Sequence, residues 1–158
     1  MPVQFQDNSI NIKAALNQEA IAFLYEVGGE LVDEVQNNSR GDKGDTQRAW
    51  DYVVDEAEGV CTVGNPLENA IWEEFGTGEY ALHGDGRKDA WYVPVDGYTG
   101  KKKPTYNGKV VIVYGKEGKQ YYKTNGKKPT RALETAFNTM KPAIIKEAQR
   151  RFGTRFNE

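Results

Sequence analysis

The sequence predicts an α+β fold: an antiparallel β-sheet with two long helices, one near each end of the chain, packed on one face, and a short helix in the middle. Three observations lead there. Apolar residues recur at three-and-four spacing in two long stretches, 12–35 and 130–152. Between them lie short segments rich in Val, Tyr and Thr that alternate with period two. Glycine-bearing turns separate those segments, and 17 glycines supply them. At 158 residues the chain fits one domain spanning 1–158.

In the first helix Leu16, Ala20, Phe23, Leu24, Val27, Leu31 and Val35 fall on one face. Ser9 or Asn11 caps its start and Asn37-Asn38-Ser39 ends it. Gly28-Gly29 costs about 2 kcal/mol of helix propensity relative to alanine, so a kink, a break or a close approach of other backbone is expected there. The polar run Arg40-Gly41-Asp42-Lys43-Gly44-Asp45 reads as a mobile surface loop near 40–46. Its Arg-Gly-Asp triplet is ordinary turn chemistry.

Trp50, Tyr52 and Val54 alternate with polar or small neighbours, and Val60-Cys61-Thr62-Val63 follows after Glu58-Gly59, which reads as two antiparallel strands joined by a turn. The stretch 65–75 suits a short helix with Leu67, Ile71 and Phe75 on one side and Gly76 terminating it. From 76 to 109 glycine, lysine and proline dominate, interrupted by Trp91-Tyr92-Val93-Pro94-Val95, and a long mobile loop is expected. Val110–Tyr114 and Gln120–Thr124 flank Gly115-Lys116-Glu117-Gly118-Lys119 as a β-hairpin. The last helix opens at Thr130 and runs to about Phe152, with Leu133, Phe137, Met140, Ile144 and Ala148 on one face and a bend at Pro142.

Composition narrows the chemistry. With 21 basic and 23 acidic side chains the formal charge is -2, so no global field draws in nucleic acid or an anionic membrane. The single cysteine, Cys61, excludes an internal disulfide and offers no zinc-cluster spacing. The amino terminus lacks a basic start followed by an apolar run, and nowhere do eighteen apolar residues follow one another, so neither an export leader nor a membrane span is expected.

His83, with Glu79 and Asp85 nearby, has the residue types of a general base or metal ligand, but no nucleophile elbow and no ligand spacing accompany it. Gly76-Thr77-Gly78 follows a helix instead of leading from a strand into one, so it reads as a turn and not as a phosphate cradle. No catalytic residue, metal or cofactor is assigned, and the chain reads as a non-enzyme. Lys101, Lys102 and Lys103, with Lys109, Tyr98 and Tyr106, form the best nucleic-acid candidate, to which Lys127-Lys128 and Arg150-Arg151 add charge. The plain alternative is a solvated loop.

The runs Val63-Gly64-Asn65 and Ala70-Ile71-Trp72-Glu73-Glu74-Phe75-Gly76-Thr77-Gly78-Glu79-Tyr80-Ala81, then Gly84-Asp85-Gly86-Arg87-Lys88, Trp91-Tyr92 and Thr124–Ala136, resemble the signature of head-tail joining, or tail completion, proteins of long-tailed bacteriophages. The likeness spans roughly 60–136. It departs before the first strand, where Gly44–Ala49 keeps only a threonine and an arginine of the family pattern, and the 101–103 and 110–124 segments look longer than in the simplest members. The resemblance implies a structural minor tail or minor capsid protein of a phage or prophage. Such a protein assembles as a homo-oligomeric ring in the host bacterial cytoplasm, docks to the neck connector and tail terminator, and remains in the virion neck or tail. It implies Glu74, Phe75, Gly76, Thr77, Gly78, Pro129 and Arg131 as assembly residues, with Arg131 as a cross-subunit ion-pair partner, against the plain alternative that all seven serve purely intramolecular structure, and Lys101 to Lys103 as residues facing DNA in the channel without reading its sequence. The rival readings are a head-closure or capsid-associated subunit, a cytosolic nucleic-acid-binding module using the Lys101–Lys103 loop, and a small hydrolase centred on His83.

Overall fold

A computed structural model describes residues 9–39, 44–100 and 102–153, with side chains of the first helix from Leu16 onward. The Arg40–Asp42 triplet, Lys43 and Lys101 lie outside the described residues. Helix α1 (Ser9–Asn38) runs unbroken through Gly28-Gly29, so the expected break is absent. The glycine pair has a packing reason: a Cβ on Gly28 would collide with the Tyr52 ring and come within 2.8 Å of Cys61 Sγ. The close approach is made by hairpin side chains, and lost helix propensity is offset by that contact. Ser39 closes the helix, its hydroxyl donating to the Val35 carbonyl at 2.8 Å. A single turn, α2 (Asp45–Arg48), follows and is fastened to α1 by Gln47 Nε2, which donates to the Gln36 carbonyl at 2.6 Å.

Strands β1 (Asp51–Asp55) and β2 (Val60–Gly64) pair antiparallel with Val53 opposite Thr62. Their alternation sorts the faces: Tyr52, Val54, Cys61 and Val63 turn inward and Asp51, Val53, Asp55, Val60 and Thr62 turn out. Helix α3 (Glu68–Phe75) ends at Gly76, whose φ of 75° takes the chain out of the helix. A 3-10 turn (Gly78–Tyr80) leads toward β3 (Trp91–Pro94), so the 76–109 stretch carries regular structure as well as loop. Strands β4 (Val111–Tyr114) and β5 (Gln120–Thr124) form the expected hairpin, and α4 (Ala132–Phe152) holds Pro142 inside without ending there.

The α+β class and the two long terminal helices stand. The strands, however, make two antiparallel sheets: β1 with β2, and β3–β5–β4 with β5 in the centre. Period-two alternation fixes which face of a strand is buried and not which strands share a sheet. Helix α1 lies across the inner face of the β1–β2 hairpin and alongside α4, and α3 packs beside α4. Leu31, Val32, Val35, Trp50, Ala70, Ala132 and Ala136 form the core where these elements meet, with Tyr52, Val63, Leu133 and Met140 at its border. At the other end of the helix pair Phe23 meets Phe152 edge to face at 5.7 Å, so α1 and α4 run antiparallel. Arg151 lies over the Phe23 ring and binds Glu26 at 2.8 Å and Glu147 at 2.7 Å.

Candidate assembly surface

Two sequence segments about fifty residues apart, Gly76-Thr77-Gly78 and Asn125-Gly126-Lys127, interlock backbone to backbone. The Thr77 N–H donates to the Lys127 carbonyl at 2.9 Å, and the Glu79 N–H donates to the Asn125 carbonyl at 3.0 Å. Lys127 N–H returns a bond to Thr77 Oγ1 at 3.0 Å. Only glycine fits at the crossing, because a Cβ on Gly78 would collide with the Asn125 carbonyl and one on Gly126 with the Thr77 carbonyl. Pro129 closes the other side, its Cδ lying 2.8 Å from where a Gly76 Cβ would be.

Asn125, with 1% of its surface exposed, is the node. Its amide donates to Glu79 Oε2 at 2.7 Å and to Asn107 Oδ1 at 2.9 Å, and its own oxygen accepts the Asn107 N–H at 3.3 Å. A buried amide satisfied on both ends holds three chain segments in one arrangement.

Next to this junction α3 grips the start of α4. Glu74 is 7% exposed, and its two carboxylate oxygens accept the N–H groups of Leu133 at 3.0 Å and Glu134 at 2.9 Å. It serves α4 as an N-terminal cap supplied from another helix, with its charge at the positive end of the helix dipole. The Glu73 carbonyl accepts the Thr130 N–H at 2.6 Å, and the Glu73 carboxylate pairs with Lys127. Arg131, the residue before α4, sits in the left-handed region at φ 54°. Its guanidinium makes a two-pronged bond to Glu134, with Nε at 2.5 Å from Oε2, and this bond holds the Glu134 carboxyl below its usual range.

Of the seven assembly candidates, Glu74, Gly76, Thr77, Gly78 and Pro129 are thus knitted into the chain's own junction. Arg131 is exposed, but its ion pair is intramolecular. Phe75 alone presents an apolar surface, 42% exposed, its ring 5.3 Å from the His83 imidazole. The apolar side of α3 faces outward: Ile71 is 58% and Trp72 46% exposed, with Leu82 beside them at 45%. They line a groove of about 360 Å³ with Phe75 and His83. Ala70 and Glu74 take the inward side instead. Sequence reasoning marked Trp72 only as one of several aromatics in excess of what a core needs and missed Ile71 and Leu82 as surface residues, because an i, i+4 apolar pair on a short helix looks the same whether it faces core or solvent.

The lysine candidates are placed differently. Lys102 and Lys103 are exposed. The rings beside them are engaged already: Tyr98 packs edge to face on Tyr122 at 5.5 Å and donates its hydroxyl to the Lys102 carbonyl at 2.6 Å, while Lys123 covers the Tyr106 ring at 4.0 Å. Burial pushes the Tyr98 hydroxyl pKa up. Lys127, Arg150 and Arg151 are all paired with carboxylates, and Lys128 lies over the Tyr80 ring at 5.7 Å. Around His83 the supposed partner Glu79 is committed to Asn125. Among the described residues no three His, Cys, Asp or Glu side chains gather in reach of one ion, and no helix is long and apolar enough to cross a membrane.

Comparison of the chain with protein-family models, with curated proteins and with solved structures found no match in any of the three.

Proposed function

We propose that the chain is a structural subunit of a long-tailed phage or prophage, joining or completing the neck or upper tail by self-association and by docking to the connector or the tail terminator. The observation that carries this reading is the outward apolar face of α3, where Ile71, Trp72 and Phe75 stand open on one side of the helix with Leu82 beside them. Three large apolar side chains on one eight-residue helix, two of them aromatic, are the composition of an interface anchor. The face is held by the junction whose residues carry the family resemblance: Gly76 stops α3 behind it, and Glu73 and Glu74 tie the same helix to α4. A rigid platform loses little entropy when a partner docks. The motif residues serve assembly through this positioning.

Deleting the gene from its phage and imaging particles by negative-stain electron microscopy tests the reading. DNA-filled heads beside separate tails are expected, and overlong tails place the protein on the tail side. A Trp72→Glu/Phe75→Glu variant supplied in trans is expected to leave the defect uncorrected while the wild-type gene corrects it. Normal infectious particles after deletion would overturn the reading.

A further inference from the structure

The charges of this nearly neutral chain are segregated. The first 99 residues hold 19 of the 23 carboxylates and six of the 21 lysines and arginines, and residues 100–128 hold nine lysines and one carboxylate, Glu117. Folding carries that division onto two surfaces of opposite charge. The β1–β2 hairpin exposes Asp51, Asp55, Glu56 and Glu58; among the described residues none of the four is in an ion pair, although Glu56 accepts the Tyr25 hydroxyl of α1 at 3.0 Å and Asp55 accepts the turn N–H groups of Ala57 and Glu58. Between those carboxylates its outer face shows Val53, 70% exposed, and Val60, 50% exposed, with α1 covering only the inner face.

The complementary surface is the β4 side of the second sheet. Strand β4 is an edge: among the described residues it pairs with β5 on one side and with no strand on the other. Val110, Ile112 and Tyr114 are open along it, Tyr114 at 73%. Exposed Lys109 stands before the strand, and exposed Lys116 and Lys119 stand after it, with Lys119 3.6 Å from the exposed Glu117 carboxylate. An open apolar edge is a template for pairing with another chain, and its flanking lysines keep out copies of the same edge by like-charge repulsion. An acidic, valine-bearing hairpin carries the opposite charge and a matching apolar centre.

We infer that the acidic outer side of the β1–β2 hairpin of one copy docks on the lysine-flanked β4 edge of the next copy, head to tail. Two different surfaces of one chain make this contact, so a docked pair leaves one of each free, and the series closes into a ring or extends as a filament. The inference deepens the proposed assembly role by naming the surfaces between copies and leaves the α3 face for a different partner. The charges supply steering and register, and the valines, Ile112 and Tyr114 supply the buried area.

Sedimentation velocity of the purified full chain tests it with two charge reversals, Asp51→Lys/Glu56→Lys/Glu58→Lys and Lys109→Glu/Lys116→Glu/Lys119→Glu. The wild type is expected to self-associate in low salt, with an association constant falling roughly tenfold in high salt. Each reversed protein is expected to sediment as a monomer with a wild-type circular dichroism spectrum. Mixing the two is expected to restore association, since every contact in an alternating chain again joins opposite charges. A monomeric wild type in low salt, reversed proteins that associate unaided, or a mixture that stays monomeric would each overturn the inference. The outcome is separable from the phage reading: rescue in the mixture together with normal particles after gene deletion sinks only the phage reading, and a monomeric chain whose loss still separates heads from tails sinks only the head-to-tail contact.

Discussion

Glu74 is the residue at which sequence and structure diverge most instructively. The family resemblance makes its carboxylate an assembly candidate, yet its two oxygens satisfy two of the N–H groups that begin α4 within the same chain. Replacing it by Gln leaves one acceptor and sets an NH2 against an N–H, so Glu74→Gln is expected to cost about 1–3 kcal/mol. Thermal unfolding measures that loss, and hydrogen exchange should accelerate at Leu133 and Glu134 first. Unchanged stability would mean that Glu74 does not cap α4. Gly78 was legible as a turn glycine but not as a crossing point. Its φ of 62° and the Asn125 carbonyl against it leave no room for a methyl group, so Gly78→Ala is expected to destabilise by roughly 2–5 kcal/mol, read in the same melts. Neither contact can be seen in the sequence, since Asn125 and Gly78 are 47 residues apart and join only in the folded chain.

At the scale of elements, both long helices, both hairpins and the end of α3 at Gly76 were legible, because each rests on local periodicity or turn chemistry. Helix α1 shows the limit of such reasoning. Gly28 and Gly29 cost the same in propensity, but they are not equivalent in the fold: Gly28 lies under Tyr52 and Cys61, and a Cβ on Gly29 would meet nothing nearer than Tyr52 at 4.0 Å. Gly29→Ala is therefore expected to stabilise by up to about 1 kcal/mol, while Gly28→Ala is expected to lose about 1–3 kcal/mol from overpacking. Opposite signs at adjacent positions in thermal melts would confirm the packing of α1 on the hairpin; equal signs would contradict it. The far end of the helix pair responds to pH. Bonds from Arg150 and Arg151 hold the Glu147 carboxyl down to about 2. A depressed carboxylate contributes stability above its unfolded value of about 4.3 that is lost as pH falls toward the folded value. The α4 terminus and Phe152 are expected to loosen from Phe23 between those limits, and Glu147→Gln is expected to remove that part of the acid transition seen by amide exchange in 147–152.

In the whole molecule the two sheets belong to unequal environments. The β1–β2 hairpin is backed by α1 and shares the apolar core with α3 and α4. No helix makes comparable contact with the β3–β5–β4 sheet among the described residues; Tyr122 and Thr124 in its central strand are buried, but Val93, Val111, Val113 and Tyr121 are only half-buried. The sheet is instead anchored through Asn125, which follows β5 and binds Glu79 and Asn107, and through Tyr98 against Tyr122. Such a unit opens at lower free energy than one sealed by a helix layer. Native-state hydrogen exchange should therefore show two tiers, with Val32, Val35 and the inner hairpin residues slowest and β4 fastest among the strands. Asn125→Ala should widen the gap, since removing the node leaves Glu79 and Asn107 without their shared partner while the α1–hairpin–α4 core keeps all its contacts. A single tier, with β4 as protected as α1, would instead mean that the junction couples the second sheet fully to the core. The two-tier outcome also bears on assembly: an edge strand without a helix behind it gains most from a docked neighbour, so protection at Val111–Tyr114 is expected to rise on self-association more than protection at any residue of α1.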